Sequence, residues 1–191
     1  MDLGQINITY RSTEFPYIAK KWIDDVEKNC KVIALDFETT GLGHPSKETI
    51  THLALATSPN EAIVFIVDNP IMEKLLLNWL ITTEIKQVWH NLSYDGKFIF
   101  HRTGMLPKDY EDTQLLAKTL LNHVDVFKAN SGLKELAGHA YGTWAIAPDH
   151  FGIEKMRDEK VLKYAATDAC ATYYLWNQIT EEIDYEQIQS T

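Results

Sequence analysis

Apolar runs alternate along this chain with polar, turn-rich breaks, and their spacing sorts them into helices and strands. Ile18, Trp22, Ile23 and Val26 recur at helical intervals and predict a helix over 15–28, ending near Asn29. Residues 32–37 form a short apolar run, the pattern of a buried strand. Further strands are predicted at 52–57 and 62–67, separated by the turn-like Ser58-Pro59-Asn60-Glu61. Residues 72–81 predict a helix, 86–90 a short strand and 94–102 a helix. Helices are expected at 113–121 and 131–137, and a long helical stretch, with room for one break, at 158–183. Three early strands form a meander, and later strands alternate with helices. That order fits a mixed sheet covered by helices, the α/β class.

No internal repeat, low-complexity tract or Pro/Gly/Ser linker interrupts this pattern. One domain over 1–191 is therefore expected, with its polar end at 184–191 frayed. A chain of 191 residues supports one sizeable core. Its 45% hydrophobic and 24% charged residues are those of an ordinary globular protein. No apolar run approaches the roughly 20 residues that span a bilayer, so no membrane association is expected. The first residues lack the basic and apolar regions of a secretory signal. Cys30 and Cys170 form no CxxC pair, which fits reduced thiols in a cytoplasmic protein.

The formal net charge of −9 changes the picture more. It argues against a broad basic surface that holds nucleic acid by neutralising phosphates. It does not argue against an enzyme that grips only a few nucleotides, with bound cations cancelling some acids. Nor does it argue against a chain whose affinity for a polymer comes from a partner.

Three short polar clusters lie beside the apolar segments. Asp36 and Glu38 stand two apart at the end of a predicted strand, so alternation puts both side chains on one face. Two carboxylates at one spot suit an oxygen-seeking divalent cation, and equally a solvated strand edge. Asn91 and Asp95 straddle a strand-to-helix junction. Asn91 can cap that helix, and Asp95 then lies in its first turn, where the helix dipole favours a negative charge. Tyr164 and Asp168 stand four apart on one helical face, amid Ala165, Ala166, Ala169, Cys170 and Ala171. Small residues there let the helix approach a sheet closely, so Asp168 does not read as solvated surface. Tyr164 alone reads equally as core packing with a satisfied hydroxyl.

Taken in order, Asp36-Phe37-Glu38-Thr39, His90-Asn91-Leu92-Ser93-Tyr94-Asp95 and Tyr164-Ala165-Ala166-Thr167-Asp168-Ala169 resemble the three motifs of the DEDD 3′–5′ exonucleases. The resemblance spans about 32–176. A tyrosine four before the final aspartate, with Lys163 where another subgroup has histidine, places the likeness in the tyrosine (DEDDy) subgroup. The second and third motifs, the Asp112-Thr113 pair and the segment around Leu133 are most similar to the proofreading domain of family-A DNA polymerases.

The resemblance implies a ribonuclease H-like fold with a five-stranded mixed sheet and the acids gathered at one end. It implies two divalent cations, Mg²⁺ or Mn²⁺. Asp36, Glu38 and Asp168 would bind the ion nearest the attacking water, Asp36 would share the second, and Asp95 would hold that second ion largely through a water. Tyr164 would orient the attacking water. Asn91, Tyr94 and the apolar wedge Leu42 would contact the terminal nucleotides, with His90 a further candidate contact. Phe98 and Trp144 read as ordinary packing. The activity implied is removal of nucleoside 5′-monophosphates from single-stranded or frayed DNA 3′ ends, in proofreading or DNA processing at the nucleoid or replication site. A separate polymerase or replication protein is then a candidate partner. Two alternatives stay open: RNA 3′-processing of the ribonuclease D type, and a domain that binds nucleic acid or a polymerase without cutting.

Overall fold

The computed structural model describes residues 5–120, 131–145 and 152–189. Its centre is a mixed sheet of strands β1 (Thr9–Thr13), β2 (Val32–Thr39), β3 (Ile50–Ser58), β4 (Glu61–Ile66), β5 (Lys86–Trp89) and β6 (Tyr110–Asp112). Their order across the sheet is β1-β4-β3-β2-β5-β6. The expected meander is β2-β3-β4, antiparallel throughout. The other three pairings are parallel.

Six strands stand where five were expected. The extra edge strand β1 carries Thr-Tyr-Arg-Ser-Thr, which has no apolar alternation to signal it. It exists because its backbone pairs in parallel with β4, Thr9 opposite Glu61 through Thr13 opposite Phe65. The short β6 likewise depends on pairing with β5.

Helices cover both faces: α1 (Pro16–Asn29), α2 (Pro70–Thr82) and α3 (Leu92–Thr103) on one, α4 (Thr113–Leu120), α5 (Leu133–Tyr141) and α6 (Glu159–Gln189) on the other. Strand alternation divides β2 between them. Ile33, Leu35 and Phe37 pack with α1, α2 and α3, and Ala34 faces α6. Phe37 meets Trp89 edge-on, with ring centroids 5.5 Å apart.

The face under α6 is built from small side chains. Ala34, Ala54 and Ala56 on the sheet meet Ala165, Ala166, Ala169, Cys170 and Ala171, all fully buried. Without large side chains between them, helix and sheet backbones come close, as the alanine-rich segment leads one to expect. The backbone of α6 is helical without a break to Gln189. Among the described residues no helix is long and apolar enough to cross a membrane.

Candidate active site

The alternation that buries Phe37 turns Asp36 and Glu38 toward α6, and α6 brings Asp168 down onto them. Each of these three carboxyls offers an oxygen within 4.8 Å of the others. Glu38 and Asp168 are buried, and Asp36 is part-exposed at the mouth. Opposite Glu38 in register is His52. Its buried ring spans the Thr51 hydroxyl at 3.0 Å and the Met156 carbonyl at 2.8 Å, tying β3 to the turn before α6.

Burial and mutual repulsion act together on these acids. Burial first, then the charges of Glu38, Asp168 and Asp95, hold the Asp36 carboxyl well above the usual carboxylate range. Glu38 is held well above it by burial and then by Asp168. Among the described residues Glu38 Oε1 is buried with no hydrogen-bond partner. Such an oxygen is costly unless something positive meets it. Three converging carboxylates, one of which also has an orphaned oxygen, are the donor set of a hard divalent cation, so these residues fit such an ion.

Asp95 stands one step back. It projects from the first turn of α3, and its Oδ1 accepts the Phe37 N–H at 3.3 Å. It lies outside the group of three converging oxygens. Burial pushes its carboxyl up to about 7, even against its backbone hydrogen bonds. Its charge nevertheless bears on both Asp36 and Glu38.

The Tyr164 hydroxyl hydrogen-bonds Asp168 and accepts from Lys134 Nζ at 2.8 Å. Burial, then the charge of Asp168, drives the phenol far above its ordinary range. The Lys134 ammonium also reaches Asp168 Oδ2 at 3.2 Å and Oδ1 at 3.4 Å. Trp144 Nε1 donates to Asp168 Oδ1. Trp144 therefore does more than pack, contrary to the expectation. Lys134 was missed, although one signal for it existed: a cation in the first turn of a helix opposes the dipole and needs acids nearby.

The second motif departs most from expectation. Asn91 does precede α3, but its side chain makes no capping bond there, and its Oδ1 accepts from Ser93 Oγ at 2.7 Å instead. Among the described residues it is the one non-glycine with positive φ, 63°. Asp112 supplies the cap. Its Oδ1 accepts the Asn91 N–H at 3.0 Å and its Oδ2 the Leu92 N–H at 2.9 Å. Oδ1 also accepts the Gln114 N–H at 2.9 Å, so one carboxylate fastens the starts of α3 and α4. His90 engages both ring nitrogens with the protein. One ring nitrogen meets the Thr113 hydroxyl at 2.8 Å and the other the Ser131 carbonyl at 3.0 Å. Burial lowers that imidazole to about 4, so it is neutral near neutral pH.

Tyr94 reaches back to the first motif. Its hydroxyl lies 2.7 Å from Thr39 Oγ1 and donates to the Gly41 carbonyl at 2.9 Å. This pins the turn that presents Leu42, which is 90% exposed beside the acids in sequence. Arg102 holds the far side of the same loop through the Pro45 and Glu48 carbonyls. Phe98 is fully buried, as expected.

Comparison with known proteins bears on the family and the fold. A family model described as 3′–5′ exonuclease matches residues 18–184. No curated protein matches the chain. The fold is similar to that of Brucella melitensis NrnC with bound Mg²⁺, at 18% identity and a TM-score of 0.68, over 95% of this chain and 84% of that one. NrnC bound to pGG matches at 16% identity and a TM-score of 0.62, over 96% of this chain and 84% of that one. The catalytic core of RRP6 from Trypanosoma brucei matches at 14% identity and a TM-score of 0.72, over 97% of this chain and 50% of that one. Escherichia coli RNase D, described as an exoribonuclease involved in structured RNA processing, matches at 16% identity and a TM-score of 0.61, over 93% of this chain and 46% of that one. The sheet and its helical layers are thus ribonuclease H-like.

Proposed function

We propose that this chain, which belongs to the 3′–5′ exonuclease family, removes nucleotides one at a time from single-stranded RNA 3′ ends by metal-dependent hydrolysis. The observation that carries the reading is the convergence of Asp36, Glu38 and Asp168 within 4.8 Å. These residues would hold one Mg²⁺ or Mn²⁺, and Asp36 with Asp95 would hold a second. When bound, such ions lower the pKa of water and offset the charge that builds on the phosphate and the leaving oxygen.

The chain's own residues do the rest. Tyr164 keeps its proton across the neutral range, because burial and Asp168 both oppose ionisation. It therefore orients the attacking water by hydrogen bonding and does not act as a base. Attack on phosphorus breaks the bond to the 3′ oxygen of the next nucleotide. That oxygen leaves with a proton from water, and a nucleoside 5′-monophosphate is released. The exposed Leu42 offers an apolar surface to the terminal base. With a net charge of −9 the grip on the strand is local and salt-sensitive.

RNA is the proposed substrate because Escherichia coli RNase D is described as an exoribonuclease involved in structured RNA processing. The resemblance of the motifs to family-A proofreading domains favours a second reading, DNA 3′ ends, with a polymerase as partner. Matched 5′-labelled RNA and DNA oligonucleotides, incubated with Mn²⁺ or with EDTA, decide between them through the 2′-hydroxyl. Stepwise shortening of RNA from the 3′ end, lost in EDTA and in Asp36→Ala, is expected. Activity that survives Asp36→Ala refutes the assigned site. Faster digestion of DNA assigns the second reading.

A further inference from the structure

We propose that Lys134 is the counter-cation of the carboxylate cluster, occupying the Asp168 corner and competing there with the divalent cation. The inference rests on reading the cluster as a divalent-cation site. Lys134 lies in the first turn of α5, where the helix dipole disfavours a positive charge. It is held there by other contacts. Its Nζ donates to the Tyr164 oxygen at 2.8 Å and to Asp168 Oδ2 at 3.2 Å. Two aromatic faces flank it, with ring centroids 4.6 Å away at Tyr164 and 5.5 Å away at Trp144.

Asp168 has two oxygens, and both already accept hydrogen bonds. Oδ1 takes Trp144 Nε1 and Lys134, and Oδ2 takes Lys134. An incoming cation that takes an Asp168 oxygen meets the ammonium already bonded there, and the repulsion between the two favours drawing the ammonium away. The route exists, because the Lys134 side chain is 39% exposed while that of Asp168 is 9% exposed. Lys134 makes no hydrogen bond to Asp36 or to the orphaned Glu38 oxygen. Its charge also bears on Asp36 and Glu38, but only Asp168 is hydrogen-bonded to it, so the oxygens of the other two stay open to the ion. The result is a site whose affinity is set by a displaceable internal charge.

The test measures Mn²⁺ binding without nucleic acid, by the electron paramagnetic resonance signal of free Mn²⁺, near neutral pH. Wild type is compared with Lys134→Met and Lys134→Gln, two uncharged replacements of similar length, either of which suffices if the other fails to fold. Both are expected to bind Mn²⁺ about tenfold more tightly, because this pair lies between the exposed and the buried limits for an ion pair. Binding by the variants that is equal to or weaker than wild type overturns the proposal and leaves the exonuclease reading standing. Absence of Mn²⁺ binding by all three proteins overturns both. A merely structural lysine would alter melting temperature and leave the Mn²⁺ affinity where it was.

Discussion

Replacing Asp95 by asparagine should stabilise the metal-free protein while disabling it. Asp95 is 4% exposed, and burial raises its carboxyl to about 7. In the unfolded chain the same group titrates at about 3.9. A raised carboxyl binds its proton more tightly in the fold, so its contribution is fully present below about pH 4 and is lost as pH rises through about 7. At about 1.36 kcal/mol per pH unit over this interval, the loss by about pH 8 has a ceiling of about 4 kcal/mol. Relaxation of the surroundings lowers this, and about 2 kcal/mol is a sound expectation. Asparagine keeps an oxygen for the Phe37 N–H and carries no charge to desolvate. For a domain of this size the gain corresponds to a melting temperature higher by about 4–8 °C. Thermal melts followed by circular dichroism, in EDTA, should show this gain at about pH 8 and less than half of it at about pH 5. With Mn²⁺ added, wild type should gain more than Asp95→Asn, and the variant should cleave poorly. Equal melting at about pH 8, or a gain undiminished at about pH 5, refutes the reasoning.

Two further substitutions probe the supports of the site. Asp112→Ala removes the acceptor for the Asn91, Leu92 and Gln114 N–H groups. Unfolding in urea should show a loss of about 2–4 kcal/mol, and cleavage should fall because the second motif is no longer fastened; unchanged stability would show that water replaces the cap. Tyr164→Phe removes the hydroxyl between Lys134 and Asp168. Single-turnover cleavage should slow by about 10²-fold with Mn²⁺ binding retained, and no acid or base limb of the pH–rate profile should vanish with it; full activity in the variant would remove Tyr164 from the site.

Several features of the site were open to view in the sequence because they depend on local periodicity. A strand repeats every second residue, which puts Asp36 and Glu38 on one face. A helix brings Tyr164 and Asp168 together at a separation of four. The alanine-rich surroundings of Asp168 announced a close helix–sheet contact, and the buried alanines under α6 form it. The errors have a common origin as well. Asn91 was assigned a cap by its residue type, yet the acceptor that reaches the helix start comes from Asp112, twenty-one residues on. The partners of His90, Thr113 and Ser131, come from elsewhere in the chain, where no local pattern shows them. Strand β1 has no pattern of its own and is defined by its neighbour β4.

What the sequence determined by itself, then, is the class of the sheet, the face on which each acid emerges and the motif order that identifies a 3′–5′ exonuclease. Periodicity and residue order are properties of a segment, and they survive without knowledge of the rest. The tertiary structure alone decided what surrounds the acids. Lys134 reaches Asp168 across thirty-four residues and Trp144 across twenty-four. Burial is equally a property of the packed whole, and it is burial that lifts Asp36, Glu38 and Asp95 above their ordinary range. Charge interactions act through space and strengthen where water is excluded, so only the folded chain sets which cation meets which carboxylate.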